Sequence, residues 1–415
     1  MTGSRWLFGL CVSRIFFSLI FVAYSAILPL LQGAWGMSSS QAGLVQSGWH
    51  VGYIVSLFAA GLLADRFGAR RTYLAMSVAA CAASLAFAAF SDGFHSGLAL
   101  YTFAAVFAGG SYTPVLALIS QRFPAAGRGR AMGWYLAASS LSYAVGLAAS
   151  GPLVAWGGWR FSLYVAAFGT LAGTLLAFRL MRGVADEPHV AQAPTPLRER
   201  MAEVFGNRPA MRLIFAYSFH AWELLGLWAW LPAFLAVAVA HGGGVDVSVV
   251  GIGALLAGLT HLTSVAGSLL GGMWSDRVGR TAVMLGMAIA SIACSLAFGW
   301  LLAAPLWVLV AVAIVFNVTA VGDSVVYSTA LTELVPARIL GSAYAIRSVL
   351  GFGVGAVSPW LFGWVLDAAK AAGHAESLAW GLAWTLLALA ALPGPIFTWF
   401  LRRDAASHAM AGGRR

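Results

Sequence analysis

Long apolar runs recur along the chain, separated by short polar or glycine-rich breaks. A helix needs about 20 apolar residues to cross the hydrocarbon core of a bilayer. Runs of that kind place spans near 7–31, 42–64, 72–91, 98–121, 131–155 and 161–182. After one longer polar segment, six more fall near 209–240, 249–274, 282–304, 306–335, 341–366 and 378–401. The pattern predicts an all-α integral membrane protein with twelve transmembrane helices in two six-helix halves. The first run contains Arg14 and continues through Leu31, so it reads as a retained helix rather than a cleaved signal. The halves suggest an N-terminal bundle over 1–182, a cytoplasmic linker over 183–208 and a C-terminal bundle over 209–415. Pro188, Pro194 and Pro196 mark the linker. Within it Thr195 is placed to cap a short helix that starts at Pro196, carries Leu197, Met201, Val204 and Phe205 on one face and stops at Gly206. That helix reads equally as a membrane-surface element or a solvated connector.

Composition agrees with the pattern. Of the 415 residues 60% are hydrophobic and 9% charged, with a mean hydropathy of +0.84, which excludes a soluble globule and a disordered chain. The formal charge of +10 does not point to nucleic acid, because the Arg residues sit in short clusters between apolar runs. With the N-terminus inside, 20 of the 24 basic residues fall in cytoplasmic segments, Arg160 and Lys370 fall outside, and Arg14 and Arg347 lie within spans. That asymmetry orients a multi-pass protein of a bacterial inner membrane with both termini cytoplasmic. Cys11, Cys81 and Cys294 lie far apart, without metal-ligand spacing or a disulfide framework, so no metal and no cofactor are expected.

The chain repeats itself. Gly61-Leu-Leu-Ala-Asp65-Arg66-Phe-Gly68-Ala-Arg70-Arg71 closes the second span, and Gly272-Met-Trp-Ser-Asp276-Arg277-Val-Gly279-Arg280 closes the eighth. Leu28-Pro29 recurs as Leu231-Pro232, and Phe123-Pro124 as Val335-Pro336. In such a turn Gly supplies backbone freedom, the carboxylate faces a helix N-terminus and Arg anchors at anionic lipid. Two six-helix repeats in parallel register follow.

Residues 61–71 satisfy in full the Gly-x-x-x-Asp-Arg-x-Gly-x-Arg-Arg signature of the major facilitator superfamily of secondary transporters, which the chain resembles over essentially its whole length. The resemblance implies two pseudo-symmetric bundles that rock about a midplane site. It gives Gly61, Asp65, Arg66, Gly68, Arg70 and Arg71, with Asp276, Arg277 and Gly279 in the second copy, the part of a conformational latch. Asp65 would meet the second bundle near the start of helix 11. The chain departs from the family in two places. Ala105 stands where many members carry an Arg in helix 4 linked to proton coupling, and the helix 5 pattern of antiporter-type exporters is reduced to Gly151-Pro152.

Charges inside spans cost about 2.5–3.5 kcal/mol each on insertion scales, so those that remain mark a solute path or pair with each other. They are Arg14, Glu223, Asp323 and Arg347. By resemblance, helices 1, 4, 7 and 10 line the cavity, which puts Arg14, Glu223 and Asp323 on cavity helices. A guanidinium holds a carboxylate or sulfonate by two parallel hydrogen bonds, which makes Arg14 and Arg347 candidate anion anchors. A carboxyl group that changes environment loads and releases a proton, the role suggested for Glu223 and Asp323. His220 stands three residues before Glu223, on the same helix face, as a relay. The alternative is mutual neutralisation, above all of Arg347 by Asp323. Tyr24, Tyr112 and Tyr327 are candidate cavity walls. His50 and His261 each stand fifteen residues before a signature Asp, equivalent places that suggest a symmetric gate or outer rim site, although a lone helix histidine is more often a satisfied interhelical hydrogen-bonder. Gly351-Phe-Gly353-Val-Gly355 imitates a nucleotide fingerprint but lies inside a span, where it serves close packing.

No nucleotide-hydrolysis or hydrolase motif accompanies these features, so the chain is not expected to be an enzyme. The expected function is proton-coupled uptake of a small organic anion by alternating access. The alternative is proton-driven efflux of amphiphilic, drug-like compounds. The expected partners are the solute, the proton and membrane lipid, with no nucleic acid, and the working unit is a monomer.

Overall fold

The computed structural model describes residues 3–185, 196–240 and 243–414. They are mostly helical, with no strand among the described residues. Membrane helices are numbered in chain order: α1 Gly3–Ala26, α2 Ser39–Phe67, α3 Ala69–Phe90 and α4 Phe94–Arg122. One continuous helical stretch, Ala125–Leu180, supplies two of them. At about 1.5 Å per residue its 56 residues would be far longer than a bilayer is thick. The chain reverses at Gly158, whose φ of 74° and ψ of −177° suit only glycine, giving α5 (125–157) and α6 (159–180). The second half holds α7 Arg208–Ala240, α8 Val247–Val278, α9 Arg280–Leu301, α10 Leu306–Leu334, α11 Ala337–Ala371 and α12 Glu376–Arg403. The twelve helices foreseen from the hydropathy pattern are present.

The repeat extends to backbone geometry. Gly68 closes α2 at φ 93°, ψ 147°, and Gly279 closes α8 at φ 101°, ψ 150°. Both copies of the signature therefore make the same tight turn in a region closed to side chains with a Cβ. Local chemistry sets other ends. Ser38 and Gln41 form a capping box at the start of α2, Ser38 Oγ accepting from Gln41 N at 3.2 Å and Ser38 N donating to Gln41 Oε1 at 3.0 Å.

The chain forms two compact units, one of Met1–Gln192 with Pro232–Leu259, the other of Ala193–Leu231 with Thr260–Arg415. In the first unit α5 and α8 come so close that a Cβ placed on Gly151 would stand 2.4 Å from the carbonyl oxygen of Gly251. Such contacts let bare backbones pack where lipid offers no hydrophobic drive. In the second, Leu197–Gly206 forms the short helix foreseen in the linker; Val204 is buried, while Leu197, Met201 and Phe205 stay exposed. Its proposed cap, Thr195, and Pro188 and Pro194 lie outside the described residues. Glu203 pairs with Arg338 at 2.5 Å, and Asn207 Nδ2 donates to the carbonyl of Leu334 at 3.1 Å.

The segment after α12 folds back onto the second unit. Asp404 pairs with Arg212 at 2.6 Å, Ser407 is buried, and Met410 enters the core cluster that contains Leu331 and Ile339. Ala411 N donates to Glu333 Oε2 at 3.3 Å, and Arg414 donates to the carbonyl of Asp276 at 2.5 Å.

Candidate functional site

In the first unit the polar centre is Arg14 on α1. Helix α4 is interrupted beside it: a 3-10 turn over Gly109–Ser111 leads to Tyr112 at φ −120°, ψ −76°, before the helix resumes at Thr113. Gly109, Gly110 and Pro114 are the sequence cause, since they weaken the regular ladder. Backbone groups freed inside a bilayer must find other partners. Gly109 N donates to Ser56 Oγ at 2.7 Å, and the Tyr135 hydroxyl donates to the Ser111 carbonyl. Arg14 completes the arrangement, with Nη1 donating to Ser111 Oγ at 2.7 Å and Nε donating to Ser139 Oγ at 2.9 Å. Its guanidinium lies 5.5 Å from the ring centre of Tyr112 and faces the Tyr53 hydroxyl. The structure thus joins Arg14 and Tyr112. Among the described residues no carboxylate pairs with Arg14.

Tyr24 does not join them. It is fully buried, donates to the Ala42 carbonyl at 2.9 Å and packs its ring 4.9 Å from Tyr101.

In the second unit Glu223 on α7, Asp323 and Tyr327 on α10, and Ser291 on α9 surround a narrow pocket with room on the order of one water molecule. The exposures are 3% for Glu223, 1% for Asp323 and 7% for His220. Ser291 Oγ donates to Glu223 Oε2 at 2.7 Å, while Glu223 Oε1 has no hydrogen-bond partner among the described residues. His220 turns away from the relay expected with Glu223. Its Nδ1 stands 3.1 Å from Asp323 Oδ1, at ion-pair range but out of hydrogen-bond alignment, and its Nε2 meets Ser324 Oγ at 2.8 Å. His220 also packs on Tyr327, 5.3 Å between ring centres. The three residues considered for proton handling therefore share one pocket, with His220 serving Asp323 instead of its helix neighbour.

Arg347 differs from the neutralisation considered above. It donates to Ser328 Oγ at 2.8 Å and lies 4.4 Å from the Tyr217 ring centre and 4.9 Å from that of Tyr344. Among the described residues it forms no ion pair with Asp323, because His220 occupies that carboxylate. Asn317 stays on an unbroken α10 and joins a separate cluster, its Oδ1 3.1 Å from His261 Nδ1. Gly351 and Gly355 pack against Tyr217 and Leu225, the close-packing use expected for that run.

The signature residues lie at the ends of α2 and α8. Gly61 sits on α2 and Asp65 is exposed in its last turn; Arg66 stacks 5.1 Å from the Phe67 ring, and Arg70 and Arg71 begin α3. In the second copy Arg277 is exposed and Asp276 accepts from Arg280 at 2.5 Å, while Arg280 also reaches Glu333 at 2.9 Å. Sequence reasoning missed Ser111, Tyr135, Ser139, Ser291 and Glu333. Each acts across helices, and the one available signal was that each falls on a helix packed beside a buried charge.

The Major Facilitator Superfamily profile matches residues 8–262. The chain belongs to this superfamily. It is 29% identical over 378 residues to an uncharacterised MFS-type transporter of Mycobacterium tuberculosis, covering 88% of this chain and 79% of that one. It is 24% identical over 381 residues to a probable sulfoacetate transporter of Cupriavidus necator, covering 84% and 85%. Its fold matches a crystal structure of the nucleoside transporter NupG with a TM-score of 0.76 at 14% identity, over 96% of this chain and 99% of that one. This member of the superfamily is a multi-pass secondary transporter for small solutes and not an enzyme.

Proposed function

We propose that the transporter takes up a small organic anion together with protons across a bacterial inner membrane, as a monomer with both termini cytoplasmic. The observation that carries this reading is Arg14, a guanidinium held by serine hydroxyls and an aromatic ring and paired with no carboxylate among the described residues. Such a group is suited to receive a carboxylate or sulfonate from the solute. The similarity to a probable sulfoacetate transporter supports the same class. Glu223, Asp323 and His220 supply the proton-handling group, since a carboxyl that alternates between dry and wet surroundings takes up and releases a proton. Arg347 and Tyr327 serve the solute from the second unit, and the signature residues around Asp65 and Asp276 act as the latch.

The experiment is uptake of pooled small carboxylates and sulfonates into proteoliposomes with an inside-alkaline gradient, read by mass spectrometry against empty vesicles. Gradient-dependent accumulation of an acid is the expected result. Accumulation of none by folded, inserted protein would overturn the proposal and turn attention to amphiphile efflux.

A further inference from the structure

The first unit contains a second polar group that the anion reading does not use. Gln46 and His50 on α2 are 1% and 2% exposed, one helical turn apart on one face. Among the described residues neither amide atom of Gln46 has a hydrogen-bond partner, and neither does Nε2 of His50. The Tyr101 hydroxyl lies beside Gln46 but donates to the carbonyl of Phe21 at 2.8 Å. The walls are aromatic: His50 stands edge-on to Phe21 at 5.6 Å, and Trp49 stacks on Phe21 at 5.3 Å. A buried polar group left unmatched is costly, so three such atoms within one turn call for a partner.

The internal repeat shows how the two units differ at this place. Nδ1 of His261, the counterpart of His50, meets Oδ1 of Asn317 at 3.1 Å. Asn317 stands nineteen residues before Pro336, and nineteen residues before Pro124 stands Ala105. Ala105 is fully buried where α4 passes Gly52, so the first unit presents a methyl group where the second presents an amide.

The same face of α2 leads to the anion anchor. Tyr53 follows His50 by three residues, about 4.5 Å along the helix, and its hydroxyl faces Arg14. A solute whose anionic end sits on Arg14 and Tyr53 would extend its other end along His50 toward Gln46. Among the described residues no charged group acts on His50 or Tyr101, so the stripe suits a neutral group that both donates and accepts. A carboxamide and an imidazole offer that complement to a hydroxyl.

We infer that Gln46 and His50 form the hydroxyl-binding part of the solute site, and that the transported anion is a hydroxylated one. The inference rests on the anion reading above. The test is calorimetric titration of the purified protein in nanodiscs with two matched pairs, gluconate against hexanoate and isethionate against ethanesulfonate. The hydroxylated member should bind at least about tenfold more tightly in each pair, because a site built for a hydroxyl is left unmatched by its analogue. Gln46→Leu and His50→Phe should bring the pairs level, while Arg14→Gln removes binding of all four. Gln46→Met, closer in shape, serves if Gln46→Leu does not fold. Equal binding within each pair, abolished by Arg14→Gln, overturns the hydroxyl inference and leaves the anion reading standing. A preference that persists in both folded variants overturns it too, and assigns the stripe to ordered water. Absence of binding by all four to folded wild-type protein overturns both readings.

Discussion

Arg347 and Tyr217 form in the second unit the pairing that Arg14 and Tyr135 form in the first, with the two residue types exchanged between the helices. The Arg347 guanidinium lies 4.4 Å from the Tyr217 ring centre, while Arg14 and Tyr135 meet through Ser111, one at its hydroxyl and the other at its carbonyl. Tyr217 stands 203 positions after Arg14, the same interval that separates Leu28-Pro29 from Leu231-Pro232. Arg347 stands 212 positions after Tyr135, as Pro336 does after Pro124. Duplication thus conserved one guanidinium and one phenol per repeat while trading their places. In each unit the guanidinium rests among hydroxyls and rings, a setting that holds it in position and leaves its charge to be met by something else.

For Arg14 this makes geometry as important as charge. Arg14→Lys keeps the positive charge but loses the fork and both serine contacts, and should weaken anion uptake by about 10- to 100-fold, that is about 1.4–2.8 kcal/mol. Competition by unlabelled solute in proteoliposomes measures it. Unchanged affinity in the Lys variant would remove bidentate recognition from the account.

Glu223 is held by one hydroxyl, from Ser291. Glu223→Gln keeps its shape without a titratable proton and should abolish gradient-driven accumulation while leaving solute exchange intact. Ser291→Ala should keep accumulation and shift its pH dependence, because the hydroxyl contact belongs to one protonation state more than the other. Accumulation by the Gln variant at wild-type level would take Glu223 out of the coupling role.

Much of the fold was legible because it is written in one dimension. Run length gave twelve helices, even where α5 and α6 join without a loop at Gly158, and the duplicated Asp-Arg-x-Gly gave two turns of matching φ and ψ. The pairings were less legible. Spacing along α7 put His220 beside Glu223, yet the rotation of α7 against α10 brought it to Asp323, and Arg347 turned to Tyr217 and Tyr344. Which face of one helix meets which face of another depends on side-chain packing from several helices at once, and period alone does not contain it. The docking of Met410 and Ala411 onto the second unit was hidden for the same reason, since nothing local in that short segment is strongly periodic.

The signature turns give a stability test. Gly68→Ala and Gly279→Ala each force a Cβ into a backbone region near φ 93° and 101°, at a cost of about 1–3 kcal/mol. Gly272→Ala, in a helix with open space around the new methyl, should be neutral or raise stability by up to about 1 kcal/mol. Thermal melting of the solubilised protein separates them, and equal melting points for all three would refute the assignment of strain.

The segment after α12 offers another. Met410→Ala removes a side chain that is 1% exposed, and by core precedent should cost the docked segment about 2 kcal/mol. Limited proteolysis of residues 404–414 should then run faster, with the helices intact. Cleavage at the wild-type rate would mean that the ion pair of Asp404 with Arg212 suffices to hold it.

The uncompensated guanidinium of Arg14 also has an electrical meaning. With the site empty, the first unit presents a net positive charge within the low-dielectric slab; with a monoanion seated, that local sum is zero. A full traverse of one elementary charge is worth about 2.3 kcal/mol per 100 mV. In a one-proton cycle the Glu223 carboxylate, deprotonated on the empty return, would offset that charge as the bound anion does on the loaded passage, so that polarising the vesicle would change turnover little.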